Sequence, residues 1–141
     1  MAFGPDRRSD ASVLRQLPGY WCNMQVKFSR LQKEQLRSVA QPIWNNIIEA
    51  ARERDYARFS RGFSNDLLAK LSEEHFRQSC EDFPLLTTIE PDFEFIDSIQ
   101  REQAVTILWR LTSNRYEGEF LGILTLQNGE SGMEITAVSV N

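Results

Sequence analysis

The chain has 141 residues, of which 41% are apolar, 11% aromatic and 26% charged, and its formal net charge at pH 7 is −4. This composition excludes disordered, collagen-like and disulfide-scaffold proteins and is typical of one globular domain. No apolar run approaches the roughly 20 residues that span a bilayer, and residues 1–12 contain no apolar stretch of the kind found in secretory signals. Cys22 and Cys80 are far apart in sequence. We therefore expect a protein of the reducing cytoplasm with no membrane partner.

Basic side chains are concentrated near the start of the chain. Residues 1–37 carry a net charge of +4, which leaves −8 on residues 38–141 of a chain whose total is −4. Domains that bind nucleic acid usually present positive charge on their folded surface, so we expect no nucleic-acid partner. The pattern divides the chain into a basic leader of residues 1–38, partly helical or flexible, and a single domain of residues 39–141. Met24 is an alternative translation start to Met1.

Helical periodicity dominates the first half of the chain. Apolar residues recur at helical spacing from Phe28 to Val39 and again from Ile43 to Ala51. Pro42 stands between the two stretches, where it either kinks one helix or begins the next. A further helix is predicted over residues 73–82, because Ser72 is a favourable cap and two acidic residues follow it.

From residue 91 onward the period changes to two, which is typical of strands. Four such segments follow one another: residues 93–99, 105–111, 120–126 and 133–140. Their connections are too short for crossover helices, and Asn128-Gly129 is a favourable hairpin turn. A change of phase near residue 137 indicates a bulge or a strand end. Helices followed by strands predict an α+β fold, with the N-terminal helices packed on a curved four-stranded antiparallel meander.

The stretch from Ile43 to Tyr56 carries a more specific pattern. It is an amphipathic helix that ends in charged residues, followed by Asp55 and then an aromatic residue. Together with the meander, this stretch resembles the superfamily of nuclear transport factor two and ketosteroid isomerase, which has the cystatin-like fold, over residues 41–140. The resemblance implies a cone-shaped pocket between helix and sheet and frequent dimerisation through the sheet. Superfamily members include enzymes, ligand binders and transport factors, so the fold does not choose a function.

One carboxylate is a candidate for catalysis. Alternation places Asp97 on the same apolar face as Phe95, where burial would raise the pKa of its carboxyl group and make it a general base, as the resemblance to the isomerases implies. Tyr56 and Tyr116 are the candidate oxyanion donors. In the alternative interpretation, a bulge at Ile96 turns Asp97 toward water or toward an arginine.

Other side chains are candidates for binding. Arg110 projects from the strand face opposite Trp109 and is a candidate ligand for an anion or a partner carboxylate. One histidine and two distant cysteines predict no metal site, and the absence of a nucleotide-binding glycine motif predicts no cofactor. Five aromatic residues are expected to line the pocket or the core beside it: Trp44, Phe59, Phe63, Trp109 and Phe120.

Two classes of function follow from these residues. The favoured one is a non-catalytic module that binds a small apolar ligand or a protein partner in an apolar pocket between helix and sheet. The alternative is a small isomerase, lyase or hydrolase that acts on an apolar substrate with Asp97 as general base. The position of Asp97 separates them, because a surface carboxylate would not serve as that base.

Apolar residues on both faces of the strands predict a homodimer. Leu108, Leu121 and Ile123 lie on the face opposite the predicted core, and burying each contributes roughly 1.5–3 kcal/mol. Two-fold pairing of identical faces is the commonest way to cover them. The rival cover is the leader, through four of its side chains: Leu14, Leu17, Tyr20 and Trp21.

Overall fold

The computed structural model describes residues 27–130 and 132–141. Within these residues, four helices precede a four-stranded antiparallel sheet whose strands are neighbours in sequence order. The predicted α+β fold, with N-terminal helices and a four-stranded meander, is confirmed. The predictions for residues 1–26, including the apolar side chains of the leader and Cys22, lie outside the described residues.

The element boundaries follow the predicted segments closely. The helices are α1 (Lys33–Arg52), α2 (Tyr56–Phe59), α3 (Asn65–Lys70) and α4 (Glu73–Asp82). The strands are β1 (Glu94–Gln100), β2 (Ala104–Thr112), β3 (Glu119–Gly129) and β4 (Gly132–Val140), and short 3₁₀ turns occupy Phe28–Arg30 and Leu86–Thr88. Strands β1 and β4 are the two edges of the sheet. No helix among residues 27–130 and 132–141 is long and apolar enough to cross a bilayer.

Helix α1 is one continuous helix with Pro42 in its interior. Of the two predicted alternatives, the one in which Pro42 begins a second helix is excluded, because α1 is continuous through it. A capping box begins α1, in which the Gln32 N–H donates to Oε1 of Gln35 at 2.8 Å. The helix crosses the predicted boundary between residues 38 and 39, and both Phe28 and Leu36 belong to the core.

Two stacked tryptophans join the long helix to the middle of the sheet. Trp44 of α1 and Trp109 of β2 have ring centroids 5.9 Å apart and planes 10° apart, and both side chains are buried. Phe93 and Phe95 contact the Trp109 ring edge-on at 5.3 and 5.9 Å. Gly122 of β3 lies beneath the pair, where a Cβ atom would come within 2.5 Å of the Trp44 ring. The absence of a side chain there lets the helix approach the sheet closely.

The two edge strands each contain a bulge. The pairing register shifts between Phe95 and Asp97 in β1, which makes Ile96 the extra residue. It shifts again between Ile135 and Ala137 in β4, in agreement with the predicted change of phase. An extra residue reverses the face on which the following side chains lie, and in β1 this changes the position of Asp97.

Candidate ligand-binding site

A cavity of about 480 Å³ opens between helix α4, the segment that follows it, and the end of the sheet formed by β3 and β4. Its volume is within the range of small-molecule sites, roughly 300–1,000 Å³. Among the residues that the structure describes, no lining side chain ionises near neutral pH. The lining residues are Phe59, Leu71, Phe76, Ser79, Phe83, Leu85, Leu86, Phe120, Val138, Ser139, Val140 and Asn141.

Helix α4 supplies one wall because its residues recur at spacings of three and four. Phe76 and Ser79 face the cavity from successive turns, and Phe83 follows at the C-terminal cap. Pro84 cannot continue the helix, so the chain turns and brings Leu86 to the same wall. Phe83 remains 76% exposed, which leaves an aromatic ring at the mouth of the cavity.

Packed aromatic rings hold the inner wall in place. The Phe59 and Phe76 centroids are 4.5 Å apart, and Tyr56 contacts Phe76 at 5.6 Å. The Tyr56 hydroxyl donates to the Leu71 carbonyl at 2.6 Å, which ties α2 to the end of α3. Phe59 also contacts Phe63 edge-on at 5.4 Å. The hydroxyl of Tyr56 is thus engaged in holding this wall.

The opposite wall is formed by β3 and the end of β4. Phe120 contributes its side chain, while residues 138–141 all line the cavity in succession. Successive side chains of a strand point to opposite faces, so one face cannot supply four consecutive lining residues. Residues 138–141 therefore line the cavity together through their backbone, along the outer side of β4. The cavity therefore extends along the free edge of the sheet.

The predicted aromatic residues divide between this cavity and the core. Phe59 and Phe120 line the cavity, whereas Trp44, Phe63 and Trp109 are buried among core side chains. Sequence reasoning missed the contributions of α4, of the turn after it and of the last strand. The signals for them were the spacing from Phe76 to Phe83 and the apolar pair Leu85 and Leu86 after a helix-ending proline.

Asp97 lies on the surface, and the prediction that it faces the core is wrong. The bulge at Ile96 reverses its face, as the alternative interpretation described, but its partner is a lysine rather than an arginine. Its Oδ1 lies 2.8 Å from Nζ of Lys33 and accepts from the backbone N–H of Ser98 at 2.7 Å. The hydrogen bond from Lys33, with that from Ser98, lowers the pKa of the Asp97 carboxyl, which is the opposite of the shift that burial would give.

The three predicted catalytic residues are not brought together. Asp97 is on edge strand β1, whereas Tyr56 packs beside the cavity at the β4 edge. Tyr116 is exposed in the loop between β2 and β3, where the Arg115 guanidinium lies 5.4 Å from its ring centroid. Asp97 therefore lies in no desolvated site and has neither Tyr56 nor Tyr116 beside it as a donor.

Arg110 is engaged by carboxylates of its own chain. Its guanidinium donates to Glu94 at 2.8 Å and lies 3.8 Å from Glu119. The hydrogen bond to Glu94 and the charge of Glu119 raise the pKa of Arg110. The carboxylates of Glu94 and Glu119 thus occupy the position beside Arg110 at which an external anion or a partner carboxylate was predicted.

The remaining side chains that could take part in catalysis, His75 and Cys80, occupy a helix cap and the core. His75 is exposed in the first turn of α4, and its Nδ1 lies 3.0 Å from Oγ of the capping Ser72. Cys80 is buried as a free thiol, and that burial raises its pKa and keeps it protonated. Among residues 27–130 and 132–141, no group of three or more His, Cys, Asp and Glu side chains could hold a metal ion.

Comparison of the sequence with protein-family models and with curated proteins gives no match. The cavity geometry is therefore the basis on which a function is inferred.

Proposed function

We propose that this protein is a non-catalytic binding module whose cavity takes an uncharged, apolar group, either a small ligand or a side chain of a protein partner. The observation that supports this is the cavity lining by described residues, which supply apolar side chains, two serines and an asparagine, and no ionisable side chain. General acid–base catalysis needs a titratable group within hydrogen-bond reach of the reacting atoms. Apolar ligands, in contrast, need burial and only a few polar contacts.

The order of elements supports a finer assignment. A long helix precedes short helices and a four-stranded meander, and the cavity lies between a helix and the sheet. We propose on this basis that the chain belongs to the nuclear transport factor two and ketosteroid isomerase superfamily, among its binding members.

A fluorescent apolar probe tests the cavity. We expect Nile red, which is uncharged, to bind the full chain with increased emission, and Ser79→Trp to abolish that increase by filling the cavity. Ser79 is an exposed residue of α4 that lines the cavity, so its replacement spares the core. Gln78→Trp is the matched control, because Gln78 is on the same helix and also exposed, but does not line the cavity. Equal emission from both variants would contradict the proposed site.

The outer face of the sheet supports a second proposal, that the protein is a homodimer. Leu108 of β2 pairs with Ile123 of β3 on this face. Ile96 and Ile99 of β1 are 43% and 56% exposed. Such a face exposed to water favours association, and self-pairing buries the same residues on both chains.

Sedimentation velocity at low micromolar concentration tests the dimer. We expect the full chain to sediment as a dimer and Ile123→Lys to sediment as a monomer, because it puts a charge at the centre of the face. A chain beginning at Met24 tests the leader as the alternative cover. Monomers in both unsubstituted chains would contradict the dimer, and a dimer that forms only after truncation would assign the cover to the leader.

We also propose that the protein works in the cytoplasm. The buried, unpaired thiol of Cys80 supports this, because free thiols persist in reducing compartments. Cell fractionation with a fluorescent fusion tests it, and recovery from an oxidising compartment would contradict it.

A further inference from the structure

The two edges of the sheet differ in how their outward-facing backbone groups are hydrogen-bonded. At the β1 edge, the backbone N–H of Ser98 donates to Asp97, and its carbonyl accepts from Nζ of Lys33 at 2.6 Å. The bulge at Ile96 interrupts the same edge. At the end of β1, the side-chain amide of Gln100 donates to the backbone carbonyls of Phe28 and Leu31. Bulges and lysines of this kind prevent an edge strand from pairing with another chain.

At the β4 edge, the residues that the structure describes cover only the first half of the strand. The N–H of Ile135 donates to the Gly62 carbonyl, and the carbonyl of Ile135 accepts from the Ser64 N–H, at 2.8 and 2.9 Å. The segment that contains Phe63 thus forms a single bridge to the strand. Beyond the bulge, no segment of residues 27–130 or 132–141 forms backbone hydrogen bonds to the outer edge of β4.

The second half of β4 presents unpaired backbone groups. Leu121 and Asn141 exchange two backbone hydrogen bonds of 2.8 Å, which fixes the alternation of the antiparallel ladder. Val138 and Val140 occupy the intervening positions, so their N–H and C=O groups point away from β3. In the described part of the chain these groups have no hydrogen-bond partner.

This open stretch of backbone coincides with the apolar cavity. Residues 138–141 line it from the strand edge, and Phe83 is exposed at its mouth. Glu81 and Asp82 precede Phe83 and are exposed, and neither forms an ion pair among the described residues. Residues 27–141 carry 13 Lys and Arg against 18 Asp and Glu, a net charge of −5. The site therefore combines strand hydrogen bonding, an apolar recess and negative charge.

We propose that an extended peptide segment of a partner protein adds to β4 as a fifth strand. Its backbone bonds Val138 and Val140, one apolar side chain enters the cavity, and Lys or Arg side chains beside that anchor lie near Glu81 and Asp82. Strand addition obtains affinity from main-chain hydrogen bonds and specificity from pockets for alternate side chains. The inference rests on the proposed function, because the same cavity receives the anchor.

A proline substitution tests the open edge selectively. Peptides are selected on the full chain from a displayed library of random linear segments about ten residues long, which exceeds a typical strand. We expect the selected peptides to share an apolar anchor with neighbouring Lys or Arg. Val140→Pro removes an N–H that points outward and leaves the β3 ladder intact, so we expect peptide affinity to fall on the order of tenfold or more.

The outcomes separate this inference from the proposed function. Nile red binding by the unsubstituted chain is measured separately from peptide binding, and we expect Ser79→Trp to lose both Nile red and peptide. Failure to select any peptide, or unchanged peptide affinity for Val140→Pro, would overturn strand addition. Whether Ser79→Trp abolishes the Nile red signal tests the proposed function separately. A dimer of the full chain that Val140→Pro dissociates would also overturn it, because a second copy would then occupy the edge.

Backbone methylation of the peptide gives a measurement that does not depend on the folding of the proline variant. An added strand directs alternate N–H groups toward β4. We expect methylation of every second peptide nitrogen to abolish binding and methylation of the intervening nitrogens to leave it unchanged. Equal sensitivity at adjacent positions would contradict a strand.

Discussion

Gly122 is the residue at which the core accepts no side chain. A Cβ atom there would lie 2.5 Å from the Trp44 ring and 3.0 Å from a methyl group of Leu111. Both neighbours are buried and held by other core contacts. The backbone of Gly122 is ordinary extended strand, so the constraint comes from space alone and not from glycine's conformational freedom.

We therefore expect Gly122→Ala to lower the free energy of unfolding by about 1–3 kcal/mol, as overpacking of a core does. Gly129→Ala is the matched control, because the three atoms nearest to its Cβ would all belong to the flexible side chain of Glu134, which can move. Urea unfolding followed by circular dichroism measures both. Equal stability of the two variants would show that α1 can shift away from the sheet.

Asp97 gives the chain a pH dependence of predictable sign. Hydrogen bonds from Lys33 and Ser98 lower its pKa in the folded state, so it stabilises the fold above its unfolded pKa of about 3.9. That contribution is lost as the pH falls through the lower folded value. We expect Asp97→Asn to be less stable than the unsubstituted chain at pH 7, with the difference shrinking in acid.

Urea midpoints across an acid pH series measure this difference. Asp92→Asn is the control, because Asp92 is exposed and forms no ion pair in the described part of the chain. A difference that stays constant into strong acid would contradict the role of the Asp97 charge.

At the scale of elements, regular patterns predict the fold and single irregularities determine the site. Strict alternation in β2 predicts that four residues face the core, and all four are buried: Val105, Ile107, Trp109 and Leu111. In β1 the same rule fails, because one extra residue at Ile96 reverses Asp97, and local sequence carries no period that marks the insertion. The cavity was only partly predictable, since its walls come from α4, the turn after it and the end of the sheet, which are distant in sequence.

Pro42 is an unusual residue for the interior of a helix, and its substitution measures what it costs α1. It is an exposed residue inside α1 and cannot donate a hydrogen bond to the carbonyl of Ser38. We expect Pro42→Ala to raise the free energy of unfolding by about 1–2 kcal/mol, because the restored bond outweighs the added freedom of the unfolded chain. Thermal unfolding measures it, with Gln41→Ala as the exposed neighbour control. A loss of stability would mean that α1 needs a bend at Pro42 to follow the sheet.

At the scale of the whole molecule, the Lys33–Asp97 pair keeps the β1 edge from pairing with other chains. We expect the double substitution Lys33→Ala and Asp97→Ala to increase self-association, because the backbone of Ser98 then loses both partners. Light scattering during incubation near the unfolding midpoint measures the effect. The control is Lys27→Ala with Glu102→Ala, which removes another exposed pair of 3.2 Å. Equal association of the two double variants would contradict a protective role.

The stacked tryptophans give a spectroscopic signal for the packing of α1 on the sheet. Trp44 and Trp109 are distant in sequence and stack only when α1 lies on β2. Both indole nitrogens are buried and have no hydrogen-bond partner among residues 27–130 and 132–141. Two parallel indoles at this distance couple their electronic transitions, so we expect a paired band in circular dichroism that vanishes in Trp44→Phe, and blue-shifted emission from the buried rings. In a Trp21→Phe background these signals arise from the pair alone. Stopped-flow spectroscopy would then time the docking of α1 on the sheet without any attached label.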